Sequence, residues 1–440
     1  MHQNENEEML RFLGLNFVDE LFSDIPGKFR RGLQDMAEGM SEMETVSYLR
    51  SVLDSNISPA EYRSYLGAGA YDTFVPALVQ HVIGRSELYT SYTPYQPEFS
   101  QGLLQIIFEY QSMMSELTGM DVVNASLYDG ASAAGEAAAM CSRIAEGKRF
   151  LVPRAMAPWK KSAIVNYLRG TDVSVVEYGY SENTGQFNTD ELTEAARHDA
   201  CGVYVEMPSF LGLYQGDIRE IKSKIGKVPL VACVNPLSLA TVIPPGEYGA
   251  DIVVGEGQPL GLGLNFGGPY LGIFACRKEY VRKMPGRVVG ATVDSEGRRS
   301  FCLTLQTREQ HIRRSKATSN VCTNQTLLSV AASVYLAAMG SRGLKSVARG
   351  IERNRMLAMD AFAKAGFGVP FRGSGFNEFV LRTRNAPEHI SKELLKHRVM
   401  AGFPLGGILP ELGNASLWAV NERTDGDEIR ELVSTIASLD

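Results

Sequence analysis

Between about residues 120 and 280, short β-branched runs alternate with helical patterns, and this alternation leaves few folds open to the chain. Arg149–Val152, Val173–Tyr178, Gly202–Glu206, Leu230–Val234, Asp251–Val254 and Leu271–Ala275 read as strands. Ala131–Ala145, Trp159–Leu168, Asp190–Arg197 and Asp217–Ile225 read as helices between them. Such βα alternation predicts an α/β domain with a mostly parallel sheet covered on both faces. A long helical region from about Asn324 to Ala365 leaves this domain. A strand at Glu378–Arg382, a helix at Glu388–Arg398, a strand at Ser416–Val420 and a helix at Glu428–Leu439 then form a small α/β layer. The expected organisation is an N-terminal helical extension and arm (1–100), a large α/β domain (101–330) and a small C-terminal α/β domain (331–440).

Two helix starts stand out near the N-terminus. Ser41-Glu42-Met43-Glu44 has capping-box spacing, and Ser58-Pro59-Ala60-Glu61 repeats it with proline at the first helical position. After residue 66 the texture turns to glycine, proline and aromatics. A helix is expected beyond it, with Leu103, Ile107, Gln111 and Met114 on one face.

The net charge of -6 argues against a nucleic-acid partner, which favours a clustered positive face. Six scattered cysteines form no CxxC pair, so reduced core thiols are expected rather than a metal or disulfide framework. The polar, acidic start has no signal-peptide core, and no uninterrupted apolar run reaches the ~18 residues of a membrane span. A cytoplasmic protein is the expectation.

Four stretches can carry chemistry, and each has a plainer reading. In Asn124–Glu136 a small-residue loop opens into an alanine-rich helix, a geometry suited to an anion such as a phosphate; Ser132 can equally be a simple helix start. Tyr92-Thr93-Pro94-Tyr95-Gln96-Pro97-Glu98 is stiffened by its prolines and either lines a pocket, crosses to a partner or packs as an arm. Gln306–Lys316 is the densest basic cluster, with Arg308, Arg313 and Arg314 able to grip a carboxylate or phosphate and His311 able to titrate near neutrality. It also reads as a solvated turn with internal pairs such as Arg308 to Glu309. Gly267-Gly268-Pro269 suits close backbone approach to a ligand or subunit, or a tight turn.

A lysine is missing. Enzymes that hold pyridoxal phosphate as a Schiff base place their lysine just past a buried strand such as Gly249–Val254. Here no lysine occurs between Lys227 and Lys278. Either another lysine (Lys278, or Lys316 among its arginines) takes that role, or the chain does not hold the cofactor.

The segments Tyr89–Glu98, Gly249–Val253, Phe266–Pro269 and Gln306–Arg314, in this order, resemble the P-protein family of the glycine cleavage system, in its half-length, split form. The resemblance implies the aspartate-aminotransferase-like fold (pyridoxal-phosphate fold type I). It implies that the partner half, subunit 2, carries the Schiff-base lysine, where this chain shows Gly257-Gln258. It further implies that Asn235 stands where such enzymes place an aspartate against the pyridine nitrogen, a weak substitute because an amide cannot hold that nitrogen protonated.

The implied complex decarboxylates glycine and passes the aminomethyl group to the lipoyl arm of H-protein, alongside the T- and L-proteins. A two-plus-two heterotetramer suits such paired halves. Tyr92, Tyr95, Glu98, Arg308, His311, Arg313 and Arg314 become candidates for completing the partner's pocket. Ser132, Gly267 and Gly268 become candidates for approaching a cofactor phosphate. A purely structural or regulatory subunit is the remaining alternative.

Overall fold

The computed structural model describes residues 2–30 and 38–440. They divide into two compact units, Met1–Ser58 and Pro59–Asp440, so the division falls after Ser58 rather than near residue 100. In the first unit α1 (His2–Phe12) and α2 (Glu42–Leu53) are the α-helices. The expected capping box starts α2: the Ser41 hydroxyl accepts from the Glu44 amide, and the Glu44 carboxylate accepts from the Ser41 amide at 2.9 Å.

In the second unit the chain runs through α3 (Pro97–Thr118), β1 (Val122–Val123), α4 (Gly130–Ile144), β2 (Arg149–Pro153), α5 (Pro158–Leu168) and β3 (Ser174–Tyr178). It continues through α6 (Thr189–Arg197), β4 (Ala200–Met207), α7 (Ile218–Ile225), β5 (Leu230–Val234), β6 (Ile252–Glu256) and β7 (Gly272–Cys276). These strands form a seven-stranded sheet in the order β1-β7-β6-β5-β4-β2-β3. β2 to β6 pair in parallel, while β7 runs antiparallel to both β6 and β1. The two-residue period of a strand divides its side chains between two cores. Leu151, Val203, Val205, Ala232, Val253 and Ile273 face one; Phe150, Val152, Tyr204, Val231, Val254 and Phe274 face the other, under α4 and α5. A sheet covered on both faces is therefore present as expected. Leu103, Ile107, Gln111 and Met114 of α3 are all buried.

Three features differ from expectation. Val288–Val293 (β8) and Arg299–Thr304 (β9) form an unforeseen hairpin, closed by Asp294, whose carboxylate accepts from the Glu296 and Arg298 amides at 2.9 Å each. Residues 59–62 are a turn and bend instead of a helix start. The chain beyond them is drawn into a short parallel ladder, Arg63–Ser64 against Val399–Met400, whose amide partners outbid a helix. Finally, α8 (Thr326–Lys364) runs straight across the expected boundary at 330/331. α8 is long and apolar enough to cross a membrane by length and composition alone. It breaks at Gly340, where φ is +55°, and buries Ala331, Ala332, Tyr335 and Leu336 in the main core.

The C-terminal layer comprises β10 (Glu378–Arg382), α9 (Pro387–Lys396), β11 (Phe403–Pro404), β12 (Ala415–Ala419) and α10 (Gly426–Leu439). Its antiparallel sheet, ordered β10-β12-β11, shares a core of Phe362, Phe379, Leu394, Trp418, Leu432 and Ile436 with the end of α8.

Candidate functional site

Open α/β sheets bind ligands beyond the carboxyl ends of their parallel strands. A cleft of about 580 Å3 opens there, with Glu206 near the end of β4, Asn235 just after β5 and Glu256 at the end of β6 on its floor. The start of α4 (Asp129, Gly130, Ala131), Trp159 and Lys160 of α5, Glu378 of β10, and Gly267 and Tyr270 also line it.

Just past the end of β6 the chain makes a closed contact. Gln258 is fully buried; its Oε1 accepts from the Tyr71 amide at 3.0 Å. Its Nε2 donates to the carbonyls of Tyr71 (2.9 Å) and Leu262 (2.7 Å). With all three bonds made inside the protein, Gln258 fastens the 66–71 segment that forms one wall of the cleft. Neither alternative lysine lies in this cleft. Lys278 follows antiparallel β7 and so emerges at the opposite end of the sheet, where its amide donates to Asp121. Lys316 ends an exposed turn, Arg314–Lys316.

The lysine that does line the cleft is Lys160. Its Nζ donates to Glu206 Oε1 at 2.6 Å and lies 3.7 Å from Cys233 Sγ, while the Tyr204 hydroxyl donates to the same Glu206 oxygen at 3.1 Å. Burial works against the Lys160 charge, but Cys233, Glu206 and Glu378 outweigh it and hold the ammonium protonated well above its usual range. A protonated, ion-paired amine is not a nucleophile.

Glu378 is buried and Glu256 half-buried, and desolvation pushes each carboxyl up to about 7 against hydrogen bonds from backbone amides. Glu378 Oε1 accepts from the Ala68 amide at 2.5 Å. A raised carboxyl pKa means that the folded chain keeps a proton which the unfolded chain releases between pH 4.5 and about 7. Stability therefore falls as pH rises through that window, by on the order of 2–3 kcal/mol for each group. Glu378→Gln is expected to flatten this dependence, read as melting temperature against pH from 4.5 to 7.5. A variant curve parallel to that of the natural protein would show that Glu378 does not hold the extra proton.

Tyr95 and His311, candidates outside the cleft, meet beside Arg287, a buried residue between β7 and β8. Its guanidinium donates to the Tyr95 hydroxyl (2.8 Å), Asn324 Oδ1 (3.1 Å), Thr93 Oγ1 (3.4 Å) and the Cys322 carbonyl, and stacks 5.1 Å from the Tyr95 ring centre. The Tyr95 ring meets His311 edge-on at 5.9 Å, and the Tyr92 hydroxyl bonds Thr323 at 3.1 Å. The tyrosine-proline segment and the basic segment thus meet. Tyr92, Tyr95, Glu98, His311, Arg313 and Arg314 are exposed there.

Two candidates change character. Arg308 is buried, with its donors spent on the carbonyls of Leu305, Met284 and Gly286, so it fixes the loop and has no free fork for a carboxylate. Glu309 pairs not with Arg308 but with Arg287 (3.7 Å) and His311 (3.6 Å). Ser132 closes a capping box: its amide donates to Asp129 Oδ1 at 2.7 Å and its Oγ accepts from the Asp129 amide at 3.0 Å. Its hydroxyl and amide are committed to the helix start. Gly267 and Gly268 do form a turn of positive φ, +100° and +133°, with Gly267 on the rim of the cleft.

Sequence reasoning missed Lys160, Glu206, Glu256, Glu378 and Arg287. The signal present was charge at the edge of apolar runs: Glu206, Glu256 and Glu378 each sit at or next to a strand end.

The family profile described as "Glycine cleavage system P-protein" matches residues 1–436. The chain belongs to the P-protein family of the glycine cleavage system. The "Probable glycine dehydrogenase (decarboxylating) subunit 1" of Desulforamulus reducens is 45% identical over 439 residues, 99% of this chain and 98% of that protein. A solved structure titled glycine decarboxylase (P-protein) of the glycine cleavage system, in inhibitor-bound form, superposes with a TM-score of 0.89 at 34% identity. The match covers 100% of this chain and 99% of that one. An aspartate aminotransferase from Thermus thermophilus shares the fold alone: TM-score 0.59, 11% identity, 86% of this chain and 98% of that one. The fold is thus aspartate-aminotransferase-like, that of type I pyridoxal-phosphate enzymes.

That fold class implies pyridoxal phosphate, and the cleft of this P-protein chain does not fit it. The lysine that lines it, Lys160, is an ion-paired ammonium, and Asn235 supplies no carboxylate. The remaining charged side chains lining the cleft are Asp129, Glu206, Glu256 and Glu378 against Lys160 alone, an unfavourable field for a phosphate dianion.

Proposed function

We propose that this chain is the lysine-less subunit of a split glycine decarboxylase, active only with a second subunit that holds pyridoxal phosphate. The observation that carries this reading is Gln258, locked into the fold where an amine would be needed, in a chain matched along its whole length to relatives named subunit 1. With subunit 2 the complex decarboxylates glycine and delivers the aminomethyl group to the lipoyl arm of H-protein, alongside the T- and L-proteins. Two copies of each subunit make the assembly, in the cytoplasm.

The surface built on Arg287 is this chain's contribution. It exposes Tyr92, Tyr95 and the ring of Phe99, which is 87% exposed. An apolar and aromatic surface of this kind favours burial against a partner. In this role Tyr92, Tyr95, Glu98 and His311 complete the wall of the partner's pocket. Arg313 and Arg314 orient a carboxylate or receive acidic H-protein, and the Gly267-Gly268 turn approaches the partner's cofactor phosphate.

The test is co-purification with the candidate subunit 2, followed by glycine-dependent exchange of carbon dioxide in the presence of lipoylated H-protein. The expected result is exchange in the mixture and none with either subunit alone. Exchange by this chain alone, with an absorbing imine trapped by borohydride, would overturn the reading. Full exchange by subunit 2 alone would reduce this chain to a scaffold.

A further inference from the structure

The first turn of a helix has unpaired backbone amides and a positive dipole end, and beside a parallel sheet it is where a ligand phosphate is held. In this chain the start of α4 faces the cleft, and carboxylates of the protein already take its amides. Glu256 Oε2 accepts from the Gly130 amide at 2.9 Å, and Asp129 Oδ1 takes the Ser132 amide at 2.7 Å. The Glu256 side chain is itself held from behind: Oε1 accepts from the amides of Gln258 (3.0 Å) and Leu271 (3.1 Å). The fit is tight. A methyl group added at Gly130 would stand 3.0 to 3.2 Å from the Glu256 Cβ, backbone nitrogen and Cα. Three backbone amides therefore converge on the Glu256 carboxylate, at the floor of a cleft large enough for a small molecule.

We propose that Glu256 is a built-in anion, occupying the seat at the start of α4 that a ligand phosphate would take, and closing this cleft to phosphorylated ligands. The carboxylate does two things at once. It satisfies the Gly130 amide, so that no ligand is needed to complete the helix start. Once ionised, above the raised range of its carboxyl, it also places a negative charge where an incoming phosphate would have to sit, with Asp129, Glu206 and Glu378 around it. The loss of Gln258's would-be amine and the filling of the phosphate seat are independent changes in this cleft, so restoring one does not restore the other. This inference concerns the cleft of this chain and does not depend on the reaction assigned to the complex.

The experiment is titration of the full chain at about pH 8.5, where the Glu256 carboxyl is ionised, with inorganic phosphate and with pyridoxamine 5'-phosphate, which has no aldehyde to react with surface lysines, followed by calorimetry. The natural protein is expected to show no saturable binding in the millimolar range. Glu256→Ala, which empties the seat, is expected to bind both probes at least tenfold more tightly. Glu256→Gln keeps an acceptor for Gly130 but removes the charge, and is expected to show a smaller gain. Equal binding by the natural protein and Glu256→Ala, or a Glu256→Ala variant that is folded by near-ultraviolet circular dichroism yet binds nothing, would overturn the proposal. Should Glu256→Ala fail to fold, Glu256→Gln decides: tighter binding than the natural protein supports the internal anion, and unchanged binding refutes it.

Discussion

Replacing Arg287 with alanine is expected to destabilise the chain by about 3–5 kcal/mol and to lower turnover of the assembled complex at least tenfold. The cost has three sources. Glu309, buried and 3.7 Å from the guanidinium, would lose its arginine partner. The Cys322 carbonyl and Asn324 Oδ1 would lose charge-assisted donors. The Tyr95 ring and hydroxyl would lose both the stacking cation and the hydrogen bond that hold the arm. Arg287 is a positioning residue, so the decisive readout is local. Hydrogen exchange of residues 89–98 and 318–324 should accelerate in Arg287→Ala while α4 and β5 retain their protection. Arg287→Lys keeps the charge but not the fork, and should recover part of the stability and little of the arm's protection. If Arg287→Ala melts like the natural protein and its arm exchanges no faster, the arm is held by something else.

The sheet was legible because its physics is local. The Leu230–Val234 strand is buried along its whole length and was read residue for residue, and the α3 face was visible in the spacing of Leu103, Ile107, Gln111 and Met114. Where long-range partners decide the outcome, the sequence misleads. Ser58-Pro59-Ala60-Glu61 has every local sign of a helix start, yet backbone bonds from Arg63 and Tyr65 to residues near 400 take the following chain into a ladder.

The basic cluster posed the same problem. Arg308 looked free among charged neighbours, but the carbonyls of Met284 and Gly286 that consume it belong to another segment. The floor of the cleft was invisible for that reason too. Glu256 falls beyond the strand read at Asp251–Val254, and its partner Gly130 lies 126 residues earlier. The absence of a lysine between Lys227 and Lys278, in contrast, needs no partner to be seen; Gln258, just past β6, is integrated into the fold.

Lys160→Met is expected to cost about 3–5 kcal/mol of stability, the second large effect, because it strands the Glu206 carboxylate in the protein interior. Glu206 is only 3% exposed, and after the substitution the Tyr204 hydroxyl is the remaining partner of the Oε1 atom that Lys160 holds. The double variant Lys160→Met with Glu206→Leu removes both charges and should regain most of that loss, since a buried pair contributes little beyond what apolar packing supplies. Urea denaturation of the natural chain, both single variants and the double variant closes the cycle. A small effect of Lys160→Met, with no recovery in the double variant, would mean that solvent screens the pair. The outcome also bears on chemistry. A lysine that is the fixed counter-ion of a buried carboxylate stays an ammonium, and an ammonium cannot condense with an aldehyde. Lys160 lines the cleft and still supplies no nucleophilic amine there.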